Sequence, residues 1–202
     1  DAKDEIEANR RGRVTNNALE GLALSGDGAT AYALMQGPLI QDGGKKGECL
    51  RLVEVDLRSG STKQYVYPLI DDDHRTNEVL WMDGARFVVI ERDNSKGAAA
   101  KSKRLRIADL AGATEIHGVE SLPKKRKDLP ATITPIATRD WVDLLALDPA
   151  TAKAGFPEKI EGLAWGPDLP DGRRCLLVTS DNDFLPDQPT YVWVLGVGAK
   201  KK

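Results

Sequence analysis

Three glutamates open the same short phrase at three places in the chain: Glu20-Gly21-Leu22-Ala23, Glu78-Val79-Leu80-Trp81 and Glu161-Gly162-Leu163-Ala164. A glycine-containing turn and a second, strongly apolar run follow each phrase. If the three segments are equivalent parts of a repeated unit, their glutamates converge. Carboxylates gathered within a few ångströms repel, and protonation, arginine partners or a hard cation keep them together. Calcium accepts carboxylate and amide oxygens, and Asn16, Asn17, Asn77, Asn94 and Asn182 flank the same segments. Glu20, Glu78, Glu161 and Asn182 are therefore the candidate ligands of a Ca2+ ion. The plainer alternative makes each glutamate a solvated strand end, or an acceptor for neighbouring backbone. Gly21 and Gly162, beside two of the glutamates, suggest close backbone approach or simply a bend in a strand.

Two acidic loops fall at equivalent places after the apolar runs, Glu91-Arg92-Asp93-Asn94 and Ser180-Asp181-Asn182-Asp183. Asp and Asn supply oxygen ligands but are also ordinary turn formers. Asp181 and Asp183 are candidates for contact with a ligand or substrate. Arg92 either pairs with one of the glutamates or grips a phosphate oxygen with its guanidinium fork. The stretch after Asp181 lacks the glycine and closing glutamate of an EF-hand loop. Asp71-Asp72-Asp73-His74 reads as an exposed acidic turn rather than a metal site. Ser25 is not a nucleophile elbow, because Gly-x-Ser-x-Gly and a following helix are both missing.

Composition narrows the classes. The 202 residues carry 29 Lys plus Arg against 31 Asp plus Glu, a formal net charge of -2. That balance excludes a dominant attraction to nucleic acid or anionic membrane, and the run Lys124-Lys125-Arg126-Lys127 reads as a solvated loop. No apolar run reaches the roughly 18 residues that a membrane helix needs. With only Cys49, Cys175, His74 and His117, neither a disulfide framework nor a zinc motif built on paired histidines is expected. Cys49 and Cys175 fall in different repeats and read as two buried thiols more readily than as a bridge. The chain opens on Asp1 rather than Met, which suggests processing or a piece of something longer.

The elements that position these residues read almost entirely as strands, because short alternating or apolar runs are separated by Gly, Asp, Asn and Pro. Strands are expected at Glu20–Leu24, Thr30–Gln36, Leu50–Leu57 and Lys63–Pro68. A second meander is expected at Glu78–Met82, Arg86–Glu91 and Lys103–Leu110, with a weak fourth strand near Thr114–His117. A third comprises Ile160–Trp165, Arg174–Thr179 and Thr190–Val197, and lacks an obvious fourth strand. One helix is plausible, at Trp141–Leu147. The repeat points to an all-β fold, a β-propeller with about three four-stranded antiparallel blades at 14–70, 75–118 and 159–197, interrupted by an insertion at 119–158. A β-sandwich also has short strands but would not repeat a Glu-led phrase. Trp81, Trp165 and Trp193 would fill the spaces between blades. Propellers close with about 4 to 8 blades. The rest of the ring, the N-terminal half of the same propeller, is then expected as a missing segment or a second chain.

The phrases also resemble a known family. Asn17 to Gly28, Val89-Ile90-Glu91-Arg92-Asp93, Lys159 to Pro167 and Ser180 to Phe184, in that order, are similar to motifs of the phytase-like family, bacterial and usually exported proteins described as having an esterase-like activity of phytase. Gly26 stands where the family more often has Pro. The resemblance runs from about Arg13 to Val194 and corresponds to the C-terminal half of a longer chain. It implies a periplasmic or secreted hydrolase, with calcium held by the glutamates of the ring. Asp181 or Asp183 would orient or deprotonate water, and Arg92 would offset substrate charge. The substrate class implied is a small phosphoester. A lactonase or carboxylesterase on the same architecture, or a non-catalytic binding propeller with structural calcium, are the alternatives.

Overall fold

The computed structural model describes residues 9–148, 150, 155–186 and 188–199. They form three antiparallel sheets with very little helix. The first sheet is a meander of β1 (Leu19–Leu24), β2 (Thr30–Met35), β3 (Cys49–Asp56) and β4 (Thr62–Pro68). The second runs β5 (Arg75–Asp83), β6 (Arg86–Arg92), β7 (Lys103–Asp109) and β8 (Ala137–Asp143). The third contains β9 (Lys159–Gly166), β10 (Arg174–Asp181) and β11 (Val192–Val197). The short connections follow from turn chemistry. Between β1 and β2 the Asp27 carboxylate accepts from the Ser25 hydroxyl at 2.5 Å and the Ala29 amide at 3.1 Å. Between β5 and β6 Gly84 sits at φ 47°, left-handed backbone that a side chain would strain.

Two apolar layers separate the sheets. Leu34, Leu50, Leu52 and Tyr67 of the first sheet pack against Val79, Phe87 and Val89 of the second. The opposite face of the second sheet, through Val88, Ile90, Leu105 and Ile107, meets Ile160, Leu176 and Val178 of the third. Successive strand residues point to opposite faces, so Phe87-Val88-Val89-Ile90 feeds both layers and reads as continuous apolar sequence. Trp165 crosses from the third sheet to the second, its indole N–H donating to the Trp81 carbonyl at 2.8 Å. Cys49 and Cys175 are separate buried thiols, and burial, with the charges of Glu48 and Asp42, pushes Cys49 up to about 12.

The path between β7 and β8 differs from the sequence expectation. Thr114–His117 is not a strand; the fourth strand of the second sheet is Ala137–Asp143. The intervening segment lies along the first sheet, with the Ile116 amide on the Gln64 carbonyl and the Ile136 amide on the Val66 carbonyl, both at 2.8 Å. Ile116 and Leu122 join Cys49 and Val66 in a third core cluster. β8 was hard to read because it is an outer strand: its burial pattern has no clean alternation, and Arg139 and Asp140 are exposed. The expected helix at Trp141–Leu147 shrinks to a single turn, α1 (Leu144–Leu147), capped by the Asp143 carboxylate. Residues 149 and 151–154 of the expected insertion lie outside the described residues.

Candidate functional site

The first strands of the three sheets are neighbours, β1 beside β5 and β5 beside β9. Each of the three glutamates interrupts its ladder. Leu19 faces Met35 and Gly21 faces Leu34, which leaves Glu20 as an extra residue. Thr76 faces Glu91 and Val79 faces Val89, so Asn77 and Glu78 together oppose Ile90. Gly162 faces Thr179 and Ile160 faces Ser180, leaving Glu161 as the extra residue. A bulge re-aims a side chain out of the strand's alternation. The repeated phrase is thus a repeated bulge. Gly21 permits the approach of β1 to β5: a Cβ there would lie 2.6 Å from the Val79 amide nitrogen. At Gly162 the same atom would meet the Thr179 side chain instead, within its own sheet.

Glu20 and Glu161 line a cleft of about 430 Å3 together with Asp181, Arg75, Arg92, Lys45, Lys159 and Glu158. Asn16, Asn17, Asn94 and Gln36 supply amide groups to its wall. Glu161 is held at both oxygens, by the Asn77 amide at 2.7 Å and the Arg92 guanidinium at 3.3 Å. Arg92 also donates to the Asn94 side chain at 2.9 Å, while its buried Nε lacks a partner. Burial and the charge of Glu161 push the Glu20 carboxyl above its ordinary value, against the pull of Arg92 and Lys159. Glu78 is placed differently. It lies outside the cleft lining, and its Oε1 accepts from the Leu22 and Val79 amides at 3.2 and 2.9 Å. Burial raises it; the two amides draw it back, and the charges of Glu20 and Glu161 add to the rise.

Of the acidic loop, only Asp181 reaches the cleft. The Asp183 carboxylate pairs with Lys159, and that bond, with the charges of Asp183, Glu161 and Asp181, raises Lys159 against its desolvation. Asn182 is spent on its own loop, accepting from the Phe184 amide at 3.1 Å and donating to the Gln188 carbonyl at 3.1 Å.

Arg75 and Lys45 were not singled out by sequence. Arg75 is 9% exposed and donates to the Asn17 side chain at 2.9 Å, to the Lys45 carbonyl at 2.9 Å and to the Asp72 carbonyl at 3.1 Å. Burial, with the nearby Arg92 charge and partly offset by Asp72 and Asp73, holds it below the usual guanidinium range. Beneath it lies a buried ionic knot. Glu91 accepts from Tyr67 Oη at 2.9 Å, the Ile70 amide at 2.6 Å, and Arg106 Nη1 at 2.7 Å; His74 Nδ1 lies 3.1 Å away. His74 is therefore an interior residue, not part of an exposed turn. One signal pointed here: a carboxylate ending the apolar run Phe87 to Ile90 needs buried partners. Lys103, also buried, donates to the carbonyls of Asp93, Ser95 and Glu158 at 2.9, 2.7 and 2.9 Å, fixing the loop that carries Asn94 to the start of β9.

In kind, the donors suit a hard cation: the carboxylates of Glu20 and Glu161, the first raised by burial and by the charge of the second, lie beside amide oxygens. In number, no group of three or more His, Cys, Asp or Glu side chains close enough to hold a metal occurs among the described residues. Arg75, Arg92, Lys45 and Lys159 give the same cleft the means to hold an anion.

A family model described as "Phytase-like: Esterase-like activity of phytase" matches residues 2–184. A curated relative, an "Uncharacterized secreted protein" of Arthroderma benhamiae, is 30% identical over 121 residues, 50% of this chain and 23% of that protein. The chain therefore spans well under two thirds of that relative's length. No solved structure matches. No helix among the described residues is long and apolar enough to cross a membrane.

Proposed function

The chain belongs to the phytase-like family, and from that premise we propose that it hydrolyses small phosphoesters in the cleft between the first strands of its sheets. The observation that carries this reading is the meeting of Glu20, Glu161 and Asp181 with Arg75, Arg92 and Lys159 in one cavity. The cationic side chains offset the charge of the phosphoryl group and of the developing transition state. Asp181 orients a water and takes its proton as the water oxygen bonds to phosphorus. The ester oxygen leaves and takes a proton from solvent. Asp183 positions Lys159, and Asn77 with Arg92 holds Glu161. Glu20 would hold Ca2+, with Asn16 as a neighbouring amide and with Glu161 joining if it exchanged its bonds to Asn77 and Arg92 for the ion. When bound, calcium supplies positive charge to a phosphoryl oxygen and acidifies nearby water.

The three sheets are, in this reading, consecutive blades of a β-propeller. The face of the first sheet turned away from the second carries the apolar rows Leu22-Ala33-Val53 and Leu24-Ala31-Val55. The outer face of the third carries Ala164-Leu177-Val194. Leu22, Leu24, Val192 and Val194 are all more than half exposed. Such faces call for cover, and further sheets of the same polypeptide would supply it, as the greater length of the relative suggests. The relative's name, a secreted protein, supports export of this chain.

The test is turnover of 4-nitrophenyl phosphate, bis(4-nitrophenyl) phosphate and a panel of carboxylesters and lactones, each with millimolar Ca2+ and with chelator. Phosphoester hydrolysis that chelator abolishes, and that Glu20→Gln and Asp181→Asn reduce by about 100-fold or more, is the expected result. The esterase wording of the family description favours one second reading, a carboxylesterase or lactonase. Turnover confined to those substrates establishes it. A chain inert to all of them that still binds calcium is a binding module.

A further inference from the structure

Beside the polar cleft lies a second pocket of about 350 Å3, and Glu158 lines both. It is the more apolar of the two: Tyr191, Phe156, Pro157 and Pro189 contribute rings and apolar edges, with Lys96, Glu158 and Gln188 as its polar members. Gly97 and Gly155 complete the wall. A Cβ at Gly155 would meet nothing within 4 Å, and one at Gly97 only the Gly155 Cα at 3.9 Å, so the two glycines leave that space open.

The aromatic wall is built rather than incidental. The Trp193 ring stacks on both Phe156 and Tyr191, with centroids 5.4 and 5.3 Å away and interplanar angles of 11° and 16°. The Trp193 indole N–H is tied to the Asp148 carboxylate at 3.0 Å. Tyr191 is anchored to Ser180 by two hydrogen bonds, its amide donating to Ser180 Oγ at 2.9 Å and its carbonyl accepting from the Ser180 amide at 3.1 Å. Ser180 immediately precedes Asp181, which faces the polar cleft. The end of β10 thus carries the proposed base, Asp181, and through Ser180 anchors the aromatic platform beside it. The Gly97 amide on the Phe156 carbonyl at 2.7 Å holds the opposite lip.

We propose that this pocket receives a planar ring of the substrate, so that the preferred esters are aryl esters whose ring lies against Tyr191 while the ester group occupies the adjoining cleft. Ligand sites of about 300–1,000 Å3 are typically apolar with a few polar groups that fix orientation, and this pair of cavities divides those two roles. The assignment of the ester group rests on the hydrolase reading; the ring site rests on the pocket alone.

Two measurements on the full chain test it. The first is the ratio of kcat/KM for phenyl phosphate to that for ethyl phosphate, in the wild type, Tyr191→Ala and Tyr191→Phe. Because leaving-group chemistry is common to all three proteins, the variant-to-wild-type change isolates the ring contact. Tyr191→Ala should lower the ratio roughly three- to tenfold, the size of one aromatic contact, and Tyr191→Phe should restore it. The second is saturation-transfer NMR of 4-nitrophenol, with inorganic phosphate as the control, which needs no turnover. Loss of the 4-nitrophenol signal in Tyr191→Ala and its retention in Tyr191→Phe support the ring site even if no ester is hydrolysed, in which case the hydrolase reading alone falls. An unchanged ratio, or 4-nitrophenol binding equal in all three proteins or absent from the wild type, overturns the ring site and leaves the hydrolase reading standing.

Discussion

Replacing Glu91 by Gln should unlock the floor of the cleft. The carboxylate is 0% exposed and its four partners come from three places: Tyr67 on β4, Ile70 and His74 in the turn before β5, and Arg106 on β7. A glutamine keeps the shape but turns one acceptor into a donor that faces donors, and it leaves the Arg106 guanidinium, only 6% exposed, with the half-exposed Asp140 as its remaining carboxylate partner. Removing one partner of a buried ion pair costs about 3–5 kcal/mol, a large share of the roughly 5–15 kcal/mol that holds a domain folded. Urea unfolding at pH 7, followed by tryptophan fluorescence, should show that loss. The double variant Glu91→Gln/Arg106→Met should recover part of it, with a coupling of about 1–3 kcal/mol. The pH dependence has a definite sign. Burial pushes Glu91 up, but the His74 hydrogen bond, the Arg106 charge and the Ile70 amide outweigh it and hold the carboxyl below its ordinary value. A depressed folded value means that the stabilisation is present above the ordinary glutamate range and is lost as pH falls through the folded value. The gap between wild type and Glu91→Gln should therefore narrow on acidification. A loss under about 1 kcal/mol at pH 7, or strictly additive single variants, would refute the buried-pair account.

Gly21→Ala drives a methyl against the Val79 backbone and should destabilise by about 1–3 kcal/mol; an unchanged melting temperature would mean that β1 can shift freely. Glu20→Gln should stabilise the chain slightly in chelator at neutral pH, by less than about 1 kcal/mol because the group is solvent-screened, seen as a small rise in melting temperature. Its folded value is raised, so the wild type gains stability as pH falls from above that value towards the ordinary one, and the difference should close in acid. Millimolar Ca2+ should raise the melting temperature of the wild type and not of Glu20→Gln; identical wild-type curves with calcium and with chelator would remove the calcium assignment. The chain by itself should associate with rising concentration in analytical ultracentrifugation, and Leu22→Asp with Val194→Asp should suppress this; a monomer at all concentrations would show that the outer faces need no cover.

Much of the fold was readable because strands with one or two buried faces announce themselves in alternation. β1 to β7 and β9 to β11 lie within a few residues of their expected positions. β8 was missed because an outer strand has little to bury, and because its partner β7 lies beyond a long segment that attaches to the first sheet. At the cleft, the glutamate phrases marked the strands that line it, since a repeated bulge imposes a repeated local pattern. They did not distinguish the three glutamates. Glu20 and Glu161 turn into the cleft, whereas Glu78 binds the amides of Leu22 and Val79. Nor did spacing separate Asp181 from Asp183, whose carboxylate goes to Lys159.

Sequence by itself determined the all-β character, the order of most strands, the family and the residues around which the cleft forms, because local pattern encodes each of these. Tertiary structure decided which side chains share the cavity, that Arg75 and Lys45 join them, and that an aromatic pocket adjoins it. Those depend on which backbone approaches which across sheets far apart in sequence. A carboxylate's role is settled by the nearest donor, and no spacing along the chain names that donor.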